Sequence, residues 1–299
     1  MSLTDTLEEQ LDTLDARSTL HARHLPSGQE IAIRDGEPVN TLSVIKLPIM
    51  VLAYRDADAG LLDLDERYTL GREDMRRGSG LLQTFDLGLQ PTYRDLVTQM
   101  IVTSDNTATD IMIGRLGQDR VNAMLADRGY TETRLLGTSG ELFRRLWELV
   151  DPANKNLSWS EVYDRGFPDD PGAAERAFTY TTDPAEWLGR TTARETARLL
   201  IDLVEGRLAS PAATEAMQTI LKQQFYSSRL PRLIGDRVQI GHKTGDWPPI
   251  AGNDVGILYA ESGPIVISLF ITHNRGPFLE LEAAHAAIAK LILDAWEAL

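Results

Sequence analysis

The chain contains no cysteine among its 299 residues, which removes disulfides, thiol nucleophiles and thiolate metal sites together. Basic charge is scarce as well: 30 Lys and Arg stand against 44 Asp and Glu, a formal net charge of -14. General nucleic-acid binders and polybasic membrane-surface proteins need cationic patches, so neither class fits. No apolar run approaches the roughly 20 residues of a membrane span, and the opening MSLTDTLEEQLDTLDAR has neither the cationic start nor the apolar stretch of a signal peptide. As it stands the sequence is expected to be cytoplasmic, or periplasmic or secreted if a leader has been removed. Phosphate-binding glycine loops and dinucleotide fingerprints are missing too. The histidines form no ligand pattern: His21 and His24 should occupy opposite faces of a strand, His242 should point away from Lys243, and His273 and His285 lack acidic or histidine partners at ligating spacing. No metal and no cofactor is expected.

What is present is a globular chain, 42% hydrophobic, with enough apolar mass for a sizeable core. Leu7, Leu11 and Leu14 predict an amphipathic helix over 4–16. Residues 18–35 read as a β-hairpin around the Pro26-Ser27-Gly28 turn. Helical patterns then run from 43 to about 200, most of them ended by glycine, with a further helix near 211–223. Strand patterns return in RVQIGHKTG, NDVGILYA and PIVISLFITH, with Asn253-Asp254 and Ser262-Gly263-Pro264 taken as turns. A long helix closes the chain. This order predicts an α+β fold: an antiparallel sheet built from both ends of the chain, flanked by terminal helices, with a helical unit inserted. Residues 1–40 and 195–299 are assigned to the discontinuous sheet domain and 41–194 to the helical one. Within the latter, residues 151–187 lack clear periodicity but carry Trp159, Tyr163, Phe167, Phe178, Tyr180 and Trp187, so an ordered flap is expected rather than disorder.

Three short motifs carry chemistry. TLSVIKLPIM places Ser43 and Lys46 one helical turn apart at the mouth of an apolar run, with Thr41 or Ser43 available as a cap. Alone, this is a capped helix with a snorkelling lysine. Ser104-Asp105-Asn106 stands where one helical pattern stops and the next begins, and alone it is an N-cap. Lys243-Thr244-Gly245 ends a strand. Lysine is rare here, the others being Lys155, Lys222 and Lys290, so its presence in two of the three motifs carries weight.

Ser-x-x-Lys, Ser-Asp-Asn and Lys-Thr-Gly in that order form the signature of class A β-lactamases and penicillin-binding proteins. The chain resembles the class A β-lactamase group of penicillin-recognising serine hydrolases, and the likeness runs from the first helix through LVTQMIVTSDNTATDIMIGRLG and RTTARETARLL to NDVGILYA and the last helix. The resemblance implies a β-lactamase/transpeptidase-like fold with a five-stranded antiparallel sheet. It also implies a catalytic group of Ser43, Lys46, Ser104 and Lys243. Acyl transfer needs an activated nucleophile. Lys46 could take the Ser43 proton if burial and the nearby Lys243 cation lower its pKa. By resemblance, Ser104 relays a proton to the leaving nitrogen, Lys243 holds Ser104, and Asn106 and Thr244 bind substrate. The oxyanion hole would be made by the backbone amides of Ser43 and Asp246, beside Gly245.

The resemblance thins at one point. Class A enzymes carry a loop glutamate that activates water for deacylation, and the matching position here is Ser139; Glu141, two residues on, is the candidate base in its place, with Glu161, Asp164, Glu175 and Glu186 as flap alternatives. Trp247 is read as a pocket wall. Arg229 and Arg232 could bind a substrate carboxylate or be surface arginines. The expected function is therefore a serine β-lactamase-type hydrolase working through an acyl-serine. The alternatives are a related acyl hydrolase (a D-alanyl peptidase or an esterase) or a binding protein that is acylated without turnover. A small-molecule substrate is the expected partner, and a monomer the expected state.

Overall fold

In the computed structural model, which describes residues 2–297, the chain begins with helix α1 (Leu3–Asp12), capped by Ser2 and Asp5. Strands β1 (Arg17–His24) and β2 (Glu30–Ile33) follow as the expected hairpin. A two-residue strand β3 (Val39–Asn40) then leads into the helical unit: α2 (Lys46–Asp58), α3 (Tyr93–Val102), α4 (Asn106–Leu116), α5 (Gln118–Asp127), strand β4 (Arg134–Leu135), α6 (Ser139–Val150), α7 (Trp159–Arg165) and α8 (Ala173–Thr182). Strand β5 (Gly189–Thr191) returns the chain to helices α9 (Ala193–Val204) and α10 (Pro211–Leu221), after which come β6 (Gln239–Trp247), β7 (Ala251–Ala260), β8 (Gly263–Thr272) and α11 (Phe278–Trp296).

The five long strands make one antiparallel sheet in the order β2-β1-β8-β7-β6, so the first hairpin is zipped to the last strands. Alternation along β8 explains why both faces are covered. Ile265, Ile267, Leu269 and Ile271 join the core under α1 and α11, whereas Val266 and Phe270 join the core shared with the helical unit. A second, three-stranded sheet in the order β3-β5-β4 ties the residues before Ser43 to the segment ahead of α6 and to the segment that follows the flap; strands of two or three residues leave no readable period in the sequence.

Two local readings need correction. Asn253 and Asp254 form no turn: they lie fully buried inside β7, and the turn falls at Pro248–Ile250. Both polar side chains are tolerated there because each is bound. The Asn253 Nδ2 donates to the carbonyls of Asn40 and Thr41 at 3.0 and 3.3 Å, and the Asp254 carboxylate pairs with His242 Nδ1 at 2.8 Å. Nor does Thr41 or Ser43 cap the helix through its side chain: residues 42–45 form a single 3-10 turn that runs directly into α2.

Residues 151–187 form the ordered flap. Short turns flank α7 and α8, and Leu157, Val162 and Tyr180 pack with Leu142, Phe143 and Leu146 of α6 into a small core of their own.

Candidate active site

Ser43 sits in the 3-10 turn ahead of α2, half-buried, and Leu42 before it has a positive φ of 46°. A branched residue in that region costs about 1–3 kcal/mol and persists only when its surroundings impose it. Here the Leu42 N–H donates to Asn40 Oδ1 at 3.1 Å, and Asn253 grips the carbonyls on either side of the Asn40–Thr41 peptide. The turn that presents the serine is thus clamped from the middle of the sheet.

Lys46 follows one turn later and is 2% exposed. Its Nζ donates to the Ser104 carbonyl at 2.7 Å, to Asn106 Oδ1 at 2.9 Å and to Ser104 Oγ at 3.2 Å. Burial pulls its pKa down to about 7, against the opposing charges of Asp105, Asp110 and Asp246. Near neutral pH a large share of this lysine is therefore an amine, a base with a free lone pair.

Ser104 also has a positive φ, 56°. That turn aims its carbonyl at Lys46 and at Ser79 Oγ, while its hydroxyl lies between the two lysines, accepting from Lys243 Nζ at 3.0 Å as well. Asp105 is the N-cap of α4, its carboxylate accepting from the Ala108 and Leu82 N–H groups at 2.9 and 2.8 Å. Capping thereby fixes the two residues on either side of it, Ser104 and Asn106. Asn106 Nδ2 donates to the Arg77 carbonyl at 2.9 Å, which leaves Oδ1 facing Lys46.

Lys243 is fully buried on β6. Opposite residues of an antiparallel pair share a face, and its partner Val255 belongs to the core of the helical unit, so Lys243 points toward Ser104. Burial lowers its pKa well below the ordinary lysine value, and the Lys46 charge lowers it further. With two ammonium groups within 3.2 Å of one hydroxyl, holding both protons is costly and one lysine is readily neutral. Gly245 is a close approach in the strict sense: a Cβ there would stand 2.8 Å from the Thr41 carbonyl and 3.1 Å from the Ser43 N. Only a residue without a side chain lets β6 run this close to the Ser43 amide.

These groups open on a cavity of about 560 Å³. Ser43, Lys46, Ser104, Asn106 and Asp246 line it, together with Ser139 and Trp247. Much of the remaining wall is apolar, contributed by Leu135, Leu142, Leu146 and Leu188 and by Phe167, Ala173 and Ala177 of the flap. Trp247 is the pocket wall expected of it, its ring centroid 6.3 Å from Phe167 and 6.4 Å from Tyr180.

The structure does not bring every candidate to this cavity. Thr244, paired with Asp254, lies on the opposite face of β6 from Lys243, and its hydroxyl is buried without a partner. Glu141 is exposed: it closes the capping box of α6, accepting the Thr138 N–H at 2.8 Å. The flap carboxylates are likewise engaged or exposed. Glu161 caps α7, Asp164 pairs with Arg72, Glu186 holds Arg145 at 2.8 Å, and Glu175 faces solvent. Asp246 is the one acidic residue in the cavity wall among the described residues.

Three contributors carry no motif. Asp110 of α4 accepts the Ser139 and Gly140 N–H groups at 2.8 Å each and pairs with Arg76 at 2.6 Å, pinning the start of α6. Asn253 clamps the Ser43 turn. Arg229, half expected to be a surface arginine, is 2% exposed and forms an ion pair with Asp246. A buried arginine at the end of the polar stretch QQFYSSR offers no periodic signal to read.

The β-lactamase enzyme family model matches residues 2–296. The chain belongs to that family. Among solved structures, a β-lactamase from Sphaerobacter thermophilus aligns with a TM-score of 0.79 at 25% identity, over 99% of this chain and 97% of that one. An ancestral class A β-lactamase aligns at 0.78 and 23% identity, over 98% and 100%. PBP-A, as a point mutant in an acyl-enzyme complex with penicillin G, aligns at 0.76 and 21% identity, over 99% and 97%. At these identities the last two speak to the fold alone, which is the β-lactamase/transpeptidase-like fold read from the sequence. A comparison with curated proteins returned no match.

Proposed function

We propose that the protein is a serine acyl hydrolase of the β-lactamase type. Ser43 Oγ attacks the acyl carbon of a small-molecule amide or ester, and Lys46 Nζ takes the Ser43 proton. The bond to the leaving nitrogen or oxygen then breaks as Ser104 Oγ hands over its proton and is reprotonated from the lysine pair. The product is an acyl-Ser43 ester, which water cleaves to regenerate the serine. The Ser43 and Asp246 amides would receive the charge that develops on the acyl oxygen. The observation that carries this reading is the pair of buried lysines on either side of the Ser104 hydroxyl, with Lys46 one turn from Ser43 and drawn down to about pKa 7. Two lysines so costly to bury beside one hydroxyl have little structural purpose.

A second reading, acylation without rapid release, draws on the placement of Glu141 outside the cavity and on Ser139 at the position where class A enzymes have a glutamate. Both readings meet in one experiment, a progress curve with a chromogenic β-lactam and an aryl ester in excess over protein, with intact-mass detection of the acyl-protein. The hydrolase reading expects many products per protein molecule. A curve that stops near one product, with a persistent mass adduct, selects the trapping reading. Ser43→Ala should remove adduct and product without lowering Tm, and substantial turnover in that variant refutes both.

A further inference from the structure

Alternate residues of β6, Lys243, Gly245 and Trp247, share one face of the strand and lay out the cavity along it. Lys243 Nζ donates to the Ser104 hydroxyl at 3.0 Å, Gly245 passes beside the Ser43 amide, and the Trp247 ring meets Phe167 and Tyr180 of the flap at 6.3 and 6.4 Å. An acyl carbon held at Ser43 turns its leaving atom toward Ser104, the proton donor of the reading above. Its acyl substituent then points the other way along β6, to the flap end.

That end is apolar and has room. On α6, Ser139, Leu142, Phe143 and Leu146 recur at the spacing of one helix face, and none carries a charge. The flap adds Phe167 and, one turn apart on α8, Ala173 and Ala177, whose side chains stop at Cβ and leave space unfilled. The cation that the flap brings to this wall is already paired. Arg176 is bound to Asp170, and its guanidinium lies back over Gly172, where a Cβ would stand 2.5 Å from Nη1. Thr109, which also lines the cavity, donates its hydroxyl to the Asp105 carbonyl at 2.6 Å.

We propose that the flap side of the cavity is an acyl-chain pocket, and that the substrates are esters or amides of uncharged, medium-chain aliphatic acids. This rests on the acyl-serine reading above and names its substrate class. The α6 face from Ser139 to Leu146 extends about 10 Å at about 1.5 Å per residue. With tetrahedral C–C bonds of about 1.5 Å, that length takes a chain of about eight carbons. The whole cavity, about 560 Å³, is of the size that encloses a small ligand. Each methylene seated against this wall leaves water, whereas a short acyl group leaves the wall wet. A carboxylate at the end of the chain would have to displace Asp170 from Arg176 or lose its hydration unpaired, so charged acyl groups are disfavoured.

The test is a series of aryl esters with one phenol and acetyl, butanoyl, hexanoyl, octanoyl or decanoyl groups, each below its micelle-forming concentration. With the unmodified protein, kcat/KM should climb by up to about fourfold per methylene and level off near octanoyl, which should exceed acetyl by at least about tenfold. The octanoyl analogue with a terminal carboxylate should fall at least about tenfold below octanoyl itself. Ala177→Phe fills the pocket and should cut the octanoyl-to-acetyl ratio by about tenfold, while Ala177→Ser should retain most of it. A smaller octanoyl advantage, equal or faster reaction of the carboxylate analogue, or a ratio untouched by Ala177→Phe overturns the proposal. Because the ester series needs no variant, a poorly folded Ala177→Phe does not spare it. Intact-mass detection of acyl-Ser43 separates the two levels: acylation without chain-length preference rejects this inference alone, and no acylation by any ester of the series rejects the acyl-serine reading with it.

Discussion

At the scale of single residues, the site is an exercise in making a buried cation give up its proton. Lys46 loses solvation on entering the core, and only part of that loss is returned by Asp105, Asp110 and Asp246. If the amine form is the base, acylation rate plotted against pH should rise with unit slope below about 7 and level off above it. Asp110→Asn removes one of the charges that favour the ammonium, so the pKa falls and the acid limb should move to lower pH; stopped-flow acylation across pH 5–9 reads the shift, and a limb that stays put or moves upward contradicts the assignment of Lys46. The residues of the three motifs were legible from the sequence because their chemical types are restricted and lysine is rare in this chain. Their supports were not. Asn253, Arg229 and Asp110 act through contacts made across 213, 17 and 29 to 30 positions of sequence respectively, and no local period encodes such distances. Asn253-Asp254 resembled a turn because polar pairs usually find water; here they find Asn40, Thr41 and His242 instead.

Among the elements, the flap is the one whose sequence said least. Prolines and glycines hide the helical periods of α7 and α8, and only the aromatic residues hinted at order. Those residues turn out to be the attachment: Phe143 meets Phe167 edge-on at 5.3 Å, and Phe167 meets Trp247 at 90° and 6.3 Å. One indole therefore joins the flap to the end of β6 at the cavity, beside contacts such as that of the Asn40 amide with the Thr181 carbonyl. Trp247→Ala forfeits two aromatic contacts of about 0.5–1.5 kcal/mol each, which should speed amide hydrogen exchange over residues 159–182 by about tenfold while leaving β7 and β8 as protected as before. Exchange that is unchanged in the flap would mean that its small core around Leu142, Phe143 and Tyr180 suffices to hold it.

For the whole molecule, the sheet is a partition between two cores. Leu7 and Leu11 of α1 pack with Ile288, Ile292 and Trp296 of α11 on one side, and the helical unit packs on the other. The far core carries stability without touching the chemistry. Leu11→Ala should cost about 2–5 kcal/mol in denaturant unfolding, yet the acylation rate of the protein that remains folded should match that of the parent; a proportionate loss of rate would show that the two faces are coupled through the sheet. This architecture was visible in the order of elements, since strands at both ends with helices between leave few alternatives. The pairing of β1 with β8 has a further consequence for a chain made from its N-terminus onward. Ser43 and Lys46 are synthesised early, but Lys243, Gly245 and the Asn253 clamp arrive some two hundred residues later, so a ribosome-bound fragment holds Ser43 with neither the second lysine at the Ser104 hydroxyl nor the strand that runs beside its amide. The assembled two-lysine cluster is thus the last feature the growing polypeptide acquires, and an unfinished copy holds Ser43 and Lys46 without it.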